Sequence, residues 1–442
     1  MPHRALPLTF RFDDTHNLLT LARAGESAAI IGLSGVGKSN FFTHVANPAV
    51  QRHHLGSTAE NLLLVCINCH YAADFTSRSL YSLILEQLEA IPQLTAEQRQ
   101  AVQQHHETLL STGDDKLRAQ RYFKLAIRTI LADTQFQLAF FFDQFQDVYQ
   151  QADSRFFAHL RGLRDEYKYR LCYFIFSRYL PDTLEDPDRE EFGELFLSHT
   201  YGLKPYNLDD AATQLHRFSR RYQFPAPTSE LIAQIHYLTG GHNGMLRAVY
   251  MAIAPQEEQL PAEVNEAVAK LLTYPPIAAE VHKIWYSLTY AEQLVIHHIV
   301  RQQTTGEPLN AAVVHQMQLK GLLANTANPP LVNIPLLAHL ASQQEFSQEL
   351  VAFDPQTQRV SILGRSAPPF TPIELRIFQM LYDRAGELIS SQEICQTVWN
   401  DLGADSALKT NIRRLRKKIE PDPTTPRFLL TQHGLGYQLN LE

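Results

Sequence analysis

One segment limits the possible folds more than any other. Gly32-Leu-Ser-Gly-Val-Gly37-Lys38-Ser39 fits the pattern G-x-x-x-x-G-K-[ST]. It follows the apolar run Ala28–Ile31, and a helix-compatible stretch, Asn40–Val45, comes after it. Glycines let successive N–H groups in such a loop converge on phosphate oxygens, and the helix N-terminus behind them adds partial positive charge. Strand, glycine loop and helix in that order make a phosphate-binding P-loop. Gly32, Ser34, Gly35, Gly37, Lys38, Ser39 and Asn40 are therefore candidate nucleotide contacts. Lys38 is expected to bridge the β- and γ-phosphates, and Ser39 to ligate Mg²⁺.

Such a loop needs a sheet behind it. The apolar runs Leu62–Cys66, Leu138–Phe142 and Leu171–Phe176 alternate with helical stretches up to about Leu197, which predicts a parallel sheet with helices on its faces. Ligands of open α/β sheets sit at the carboxyl ends of strands. Asp143 falls at such an end and is the expected second Mg²⁺ group. Many P-loop ATPases place a Glu directly after that Asp; here Gln144 follows, then Phe145, Gln146 and Asp147. An amide can hold a water but cannot take its proton, so Gln144 predicts slow hydrolysis suited to a switch, with Asp147 as a substitute base. Arg178, at the end of the Leu171–Phe176 run, is the candidate γ-phosphate sensor.

Beyond about Pro205 the pattern is helical, broken at Tyr274-Pro-Pro-Ile277 and again near Leu350, where short strand-like runs begin. These shifts divide the chain into residues 1–200, 201–275, 276–349 and 350–442. In the third segment, Thr289-Tyr-Ala-Glu292 is a capping-box pattern, and a helix over Ala311–Lys320 ends at Gly321. That helix has a single Lys and no Arg, so it neutralises phosphate poorly and reads as an internal relay element.

Charge sets the last segment apart. Residues 350–442 carry 11 Lys/Arg against 10 Asp/Glu, whereas the first 349 carry 28 against 36 within a net charge of −7. Lys409, Arg413, Arg414, Arg416, Lys417 and Lys418 fall in one short stretch. There Leu408, Ile412, Leu415 and Ile419 form one apolar stripe at helical spacing. Ser406, Thr410, Arg413 and Lys417 lie opposite it, with Lys409 and Arg414 alongside. One face for a core and one cationic, hydrogen-bonding face are what a major-groove reader needs. Asp405 is placed to cap this helix. Thr371-Pro372-Ile-Glu374 and Ser390-Ser-Gln-Glu393 predict two preceding helix starts, and Phe428–Leu439 reads as a β-hairpin.

Four cysteines in 442 residues do not make a disulfide scaffold. Cys66-Ile-Asn-Cys69-His70 matches the c-type haem attachment pattern, but it closes an apolar strand and no export signal precedes it. No apolar run approaches the ~18 residues of a membrane span. A cytoplasmic protein without a membrane partner is expected.

Several of these motifs together resemble a known family. The P-loop, Phe142-Asp-Gln-Phe-Gln146, Phe176-Ser-Arg178 and Gly240-Gly-His-Asn243-Gly resemble the STAND class of AAA+-related signalling ATPases over the first ~345 residues. In related proteins Glu often stands where Gln146 is, and Pro where Asn243 is. The resemblance implies a P-loop NTPase domain, a helical lid over 201–275 and a winged-helix domain over 276–349. It also implies a resting ADP state that exchanges for ATP on stimulation, and self-association in the ATP state. The remainder is identified by Phe370-Thr-Pro-Ile-Glu-Leu375, Ser390–Trp399, Asn411-Ile-Arg-Arg-Leu-Arg-Lys-Lys-Ile-Glu-Pro-Asp-Pro423 and Gly434-Leu-Gly-Tyr437. It closely resembles the OmpR/PhoB-type winged-helix DNA-binding domain. By position, the resemblance implies that Thr410 and Arg414 read base edges. Asn411, Arg413, Arg416, Thr431 and Tyr437 would contact phosphates, and His433 would stand at the wing tip. Lys409 and Lys417 share that cationic face.

The fold class expected is thus multidomain α/β plus α+β: a P-loop NTPase parallel sheet, a helical lid and two winged-helix domains. The expected function is an ATP/ADP-gated, DNA-binding transcriptional regulator in signal transduction. Its partners would be double-stranded DNA and an activating signal or protein. The alternatives are a DNA-dependent AAA+ ATPase of the replication-initiator or transposition type, and an immunity-type STAND sensor.

Overall fold

The computed structural model describes residues 6–441 apart from 112, 114, 179–186, 257–258, 302–308, 325–329, 345–350, 356–357, 363–364, 402, 421–422, 424–425 and 433. The chain divides into two compact units, Met1–Ser342 and Gln343–Glu442. The expected boundary at 349/350 lies outside the described residues.

In the first unit the long apolar runs pair side by side. β1 (Ala28–Ile31), β2 (Leu62–Asn68), β3 (Gln137–Asp143), β4 (Leu171–Ser177) and β5 (Thr200–Gly202) form a parallel sheet in the order β2-β3-β4-β1-β5. β5 is a strand that apolar patterning did not find, because it has three residues and none of them is fully buried. β1 and β4 are buried throughout, which is why they read as continuous apolar runs rather than alternating ones. Phe141 stacks on Phe174 across neighbouring strands at 4.4 Å between ring centroids. Helices Ser77–Glu89, Lys116–Leu131 and Ser154–Glu166 bring Ile84, Phe123 and Phe157 into the main core beside the strands.

The register aligns the carboxyl ends. Asn68 lies opposite Asp143, Phe142 opposite Ile175, and Ile31 opposite both Ser177 and Gly202. The loop after β1, Asp143 and Arg178 therefore share one edge of the sheet. The chain leaves β1 towards β2 on one side and returns to β5 on the other, so β1 is the point of reversal where ligands of such sheets bind. Helices Leu208–Tyr222, Ser229–Thr239, Asn243–Ile253 and Val264–Leu272 follow. After them come Pro275–Ser287, Tyr290–Arg301 and Ala311–Leu319.

The capping box at Thr289 and Glu292 forms in both directions. Glu292 also holds Lys320 in an ion pair of 2.7 Å, with both side chains buried. The single lysine of the 310–320 segment is thus committed to the interior, and this helix offers no cation to phosphate.

In the second unit, β6 (Val351–Asp354), β7 (Arg359–Ile362) and β8 (Arg365–Ser366) form an antiparallel sheet. Helices Pro372–Asp383, Ser391–Trp399 and Asp405–Ile419 follow, with a second sheet of β9 (Ile389–Ser390), β10 (Leu429–Gln432) and β11 (Gly436–Leu439) in the order β10-β11-β9. Leu408, Ile412, Leu415 and Ile419 are all buried, together with Phe378, Ile394 and Phe428. Thr371 and Glu374 close the expected capping box. Asp405, expected as a cap, is instead the first helical residue: Ala404 precedes the helix with no side-chain cap, and the Asp405 carboxylate accepts from the Cys395 thiol.

Candidate functional site

The P-loop bends where its sequence allows. Gly35 and Gly37 adopt φ of 80° and 108°, and Gly37 precedes helix Lys38–Val45. A Cβ at Gly37 would lie 2.6 Å from the Tyr206 hydroxyl, and one at Gly35 would lie 2.6 Å from Glu280 Oε1 and 3.0 Å from His242 Cε1. Glycine is required here for close packing as well as for curvature.

Lys38 is buried, and its Nζ donates to the carbonyls of Gly32 (2.7 Å) and Leu33 (2.8 Å). Burial pushes its ammonium down to about 8. Asp143 opposes that shift and Arg178 adds to it, so Arg178, itself exposed, lies within electrostatic reach of Lys38. A buried cation held only by carbonyls gains from an anion, which fits a phosphate. Ser39 Oγ donates to Asp143 Oδ2 at 2.7 Å, although 104 positions separate them. A hydroxyl and a carboxylate side by side are hard oxygen ligands suited to Mg²⁺. Asn243 Oδ1 is a buried acceptor without a hydrogen-bond partner among the described residues, and Asn243 Cβ lies 3.7 Å from the position of a Cβ on Gly37. These residues fit a Mg²⁺-nucleotide. Ser34 and Asn40 lie on the loop and the first turn of its helix.

The Gly240-Gly-His-Asn243 segment grips the loop directly. His242 Nδ1 accepts from the Met245 N–H at 3.3 Å, which leaves Nε2 to donate to the Ser34 carbonyl at 2.8 Å. The Gly244 N–H donates to the Gly35 carbonyl at 3.1 Å. His242 is fully buried, and desolvation pushes it down to about 4. Motif reading noticed this segment but did not place His242 on the loop.

Arg11, also missed, joins the N-terminal segment to the same region. Its N–H donates to Asp210 Oδ1 (3.1 Å), its guanidinium donates to the Lys204 carbonyl (2.5 Å), and it lies over the Tyr206 ring at 4.7 Å. Local spacing marks just its ion pair with Asp14 at 2.7 Å; Asp210 and Lys204 lie almost 200 positions away.

Beyond Asp143 the amides engage one another. Gln146 Nε2 donates to Gln144 Oε1 (3.0 Å), and Gln144 sits in the left-handed region at φ 60°. Asp147 accepts from His70 Nε2 at 3.1 Å when that nitrogen carries its proton. Cys66 and Cys69 are free, and burial pushes the Cys66 thiol up to about 12 and the Cys69 thiol higher still.

In the second unit, Lys409, Thr410, Arg413, Arg414 and Lys417 are exposed on helix Asp405–Ile419. Other expected contacts have structural partners. Arg416 donates to the Leu429 carbonyl (2.7 Å) and to Thr431 Oγ1 (2.6 Å), tying helix to hairpin. Asn411 is buried and donates to the Ala407 carbonyl, and Tyr437 is buried in β11. His433 lies outside the described residues. Glu420 was missed: its buried carboxylate accepts the N–H groups of Arg427, Phe428 and Leu429 and so aims the hairpin.

The two units thus define a P-loop ATPase-like α/β fold and an OmpR/PhoB-type winged-helix DNA-binding domain. Residues 365–439 match the family model described as "Transcriptional regulatory protein, C terminal". The chain is similar to the transcriptional regulatory protein YvrH of Bacillus subtilis, with 30% identity over 100 residues that cover 22% of this chain and 42% of that protein. It is similar to the KDP operon transcriptional regulatory protein KdpE of Escherichia coli, with 32% identity over 85 residues that cover 19% and 38%. The chain therefore spans less than half the length of these relatives. Among solved structures, a Walker-type ATPase of Pyrococcus abyssi superposes with a TM-score of 0.44 and 14% identity, covering 77% of this chain and 99% of that one. Among the described residues, no helix is long and apolar enough to cross a membrane.

Proposed function

We propose that this chain is a DNA-binding transcriptional regulator whose reader is gated by ATP or ADP at the P-loop. The observation that carries the reading is the pair of hydrogen bonds from His242 and Gly244 to the loop carbonyls of Ser34 and Gly35. A ligand that reshapes the loop must act on the helices that follow. Lys38 and the loop N–H groups would hold phosphates, and Ser39 and Asp143 would hold Mg²⁺. The bound Mg²⁺-nucleotide supplies a polarised phosphoanhydride. Arg178 would sense its terminal phosphate.

Gln144, engaged by Gln146, supports slow hydrolysis and a STAND-type switch. In this reading residues 1–200 are the nucleotide domain, 201–275 the lid, 276–349 an internal winged helix that relays the signal, and 350–442 the reader. Self-association in the ATP state would place several readers on repeated sites. On the reader, Thr410 and Arg414 would read bases, and Lys409, Arg413 and Lys417 would contact phosphates. Asn411, Arg416, Thr431 and Tyr437 would support that surface, with Thr431 and Tyr437 at the phosphate edge.

Selection of bound DNA from genomic fragments, run with ATP, with ADP and with Lys38→Ala, tests the reading. The expected result is a defined site whose occupancy differs between nucleotides and loses that difference in Lys38→Ala. Equal occupancy in all three arms would end the gating model. Strong DNA stimulation of ATP turnover would favour a DNA-dependent ATPase of the initiator or transposition type instead.

A further inference from the structure

A groove of about 880 Å³ runs between helices Lys116–Leu131 and Ser154–Glu166, and none of its lining residues belongs to the P-loop or to the reader. One wall is a single helical face. Leu117, Arg121, Lys124 and Arg128 recur at spacings of three and four, so they line up along about 16 Å of helix. Helix Lys116–Leu131 contains five Lys or Arg and no Asp or Glu, in a chain whose net charge is −7. The opposite wall presents Ala158 and Gly162, one turn apart, and a Cβ on Gly162 would meet nothing within 4 Å. Leu125 and Leu163 complete an apolar floor. Leu117, 76% exposed, stands at its end.

Two details identify what this groove accepts. Arg121, Lys124 and Arg128 share the lining with one acid among the described residues, Glu166, which pairs with Lys124 at 2.6 Å. That pair is solvent-exposed, so an incoming carboxylate can displace it at little cost. Below the rim, His159 Nε2 is buried with no hydrogen-bond partner among the described residues, while Nδ1 is bound to the Tyr81 hydroxyl at 2.7 Å. With Tyr81 donating, Nε2 carries the proton and lacks an acceptor.

We infer that this groove is a docking site for an acidic amphipathic helix of a partner protein. The partner's apolar stripe would lie on Leu125, Ala158, Gly162 and Leu163, and its Glu or Asp side chains would meet the arginine rim. Helix-in-groove recognition uses anchors at i, i+3/i+4 and i+7, which matches a bed about three turns long. A nucleic-acid strand is the poorer fit, because strand-binding clefts stack successive bases on several aromatic rings and the described lining offers the Tyr167 ring beside the buried His159 imidazole. The site stands independently of the nucleotide reading.

The test titrates the full chain into fluorescein-labelled 18-residue peptides and follows anisotropy. The probe peptide carries Leu at i, i+3/i+4 and i+7 with Glu elsewhere. Its controls are a scramble of the same composition and a Lys-for-Glu version. The expected result is binding at least tenfold tighter than either control, weakened tenfold or more by Arg121→Glu with Arg128→Glu, and weakened by Gly162→Leu. Glu166→Gln should tighten it two- to threefold, a gain that misfolding cannot mimic. Three results would overturn the proposal. They are parity with the scramble, binding unchanged in the double charge reversal (which would place the peptide on the 405–419 helix), and a single-stranded oligonucleotide that competes through Arg121 and Arg128 and binds more tightly.

Discussion

Positive charge is handled in opposite ways in the two units. In the P-loop, Lys38 is buried, depressed to about 8 and closed onto the carbonyls of Gly32 and Leu33, and the neighbouring Ser39 and Asp143 are closed onto each other. On helix Asp405–Ile419, Arg413, Arg414, Lys409 and Lys417 are exposed, whereas Arg416 and Lys418 are drawn into structural bonds. In the proposed reading one cationic site changes on binding, whereas the other is a pre-organised surface. A buried, desolvated ammonium responds strongly to an arriving anion, but an exposed guanidinium gains mostly from released counterions.

The largest expected effect comes from removing the buried charge. Lys38→Ala should weaken nucleotide binding by roughly 100-fold or more, since charged hydrogen bonds contribute about 1.5–3 kcal/mol each and two phosphates are affected. Calorimetric titration with ATP and with ADP measures it, and an affinity within tenfold of the parent would show that Lys38 is not the group that holds the phosphates. Arg416→Ala should act on stability rather than recognition. It removes charged bonds to Leu429 and Thr431 and should cost about 1.5–3 kcal/mol in chemical unfolding of the second unit.

Arg414→Ala should cost about 1–3 kcal/mol at the selected site and relax preference at one base position without lowering the unfolding midpoint. Arg413→Ala should weaken all duplexes alike and lower the slope of log K against log salt by ~1. If Arg413→Ala and Arg416→Ala behaved identically in unfolding and salt titration, the separation of surface from scaffold would fail.

The smallest effect is a pH dependence. Lys38 releases its proton as pH rises through about 8, and a bound phosphate holds that proton on. Nucleotide affinity should be level below pH 8 and fall by at most about tenfold per unit above it. Folding favours the neutral lysine, because its ordinary value of 10.5 is lowered in the folded state. Between pH 8 and 10.5 the unfolded chain therefore binds more protons, and this group's contribution to stability rises with pH.

Residue patterns exposed some parts of the molecule and not others. Ala28–Ile31 and Leu171–Ser177 were legible because burial on both sides leaves continuous apolar runs, whereas Thr200–Gly202 is too short and too little buried to leave a signal. The stripe Leu408, Ile412, Leu415 and Ile419 foretold which face of its helix packs, because helical period and burial obey the same geometry. Spacing did not show that Arg416 turns back to the hairpin while Arg413 and Arg414 face solvent. All three sit off the stripe, and the difference arises from β10, whose Leu429 and Thr431 supply acceptors from 13 and 15 positions away.

Local chemistry by itself determined the glycine loop, the lysine and hydroxyl that follow it, the capped helices and the cationic face of the 405–419 helix. Each depends on residues within a few positions of one another. Tertiary structure alone decided that Asp143 meets Ser39, that His242 holds Ser34, and that Lys320 is buried against Glu292. Those contacts join segments 28 to 208 positions apart, and only strand order and helix packing bring such segments together. A linear pattern carries the chemistry of each group but not the partner that the folded chain places beside it.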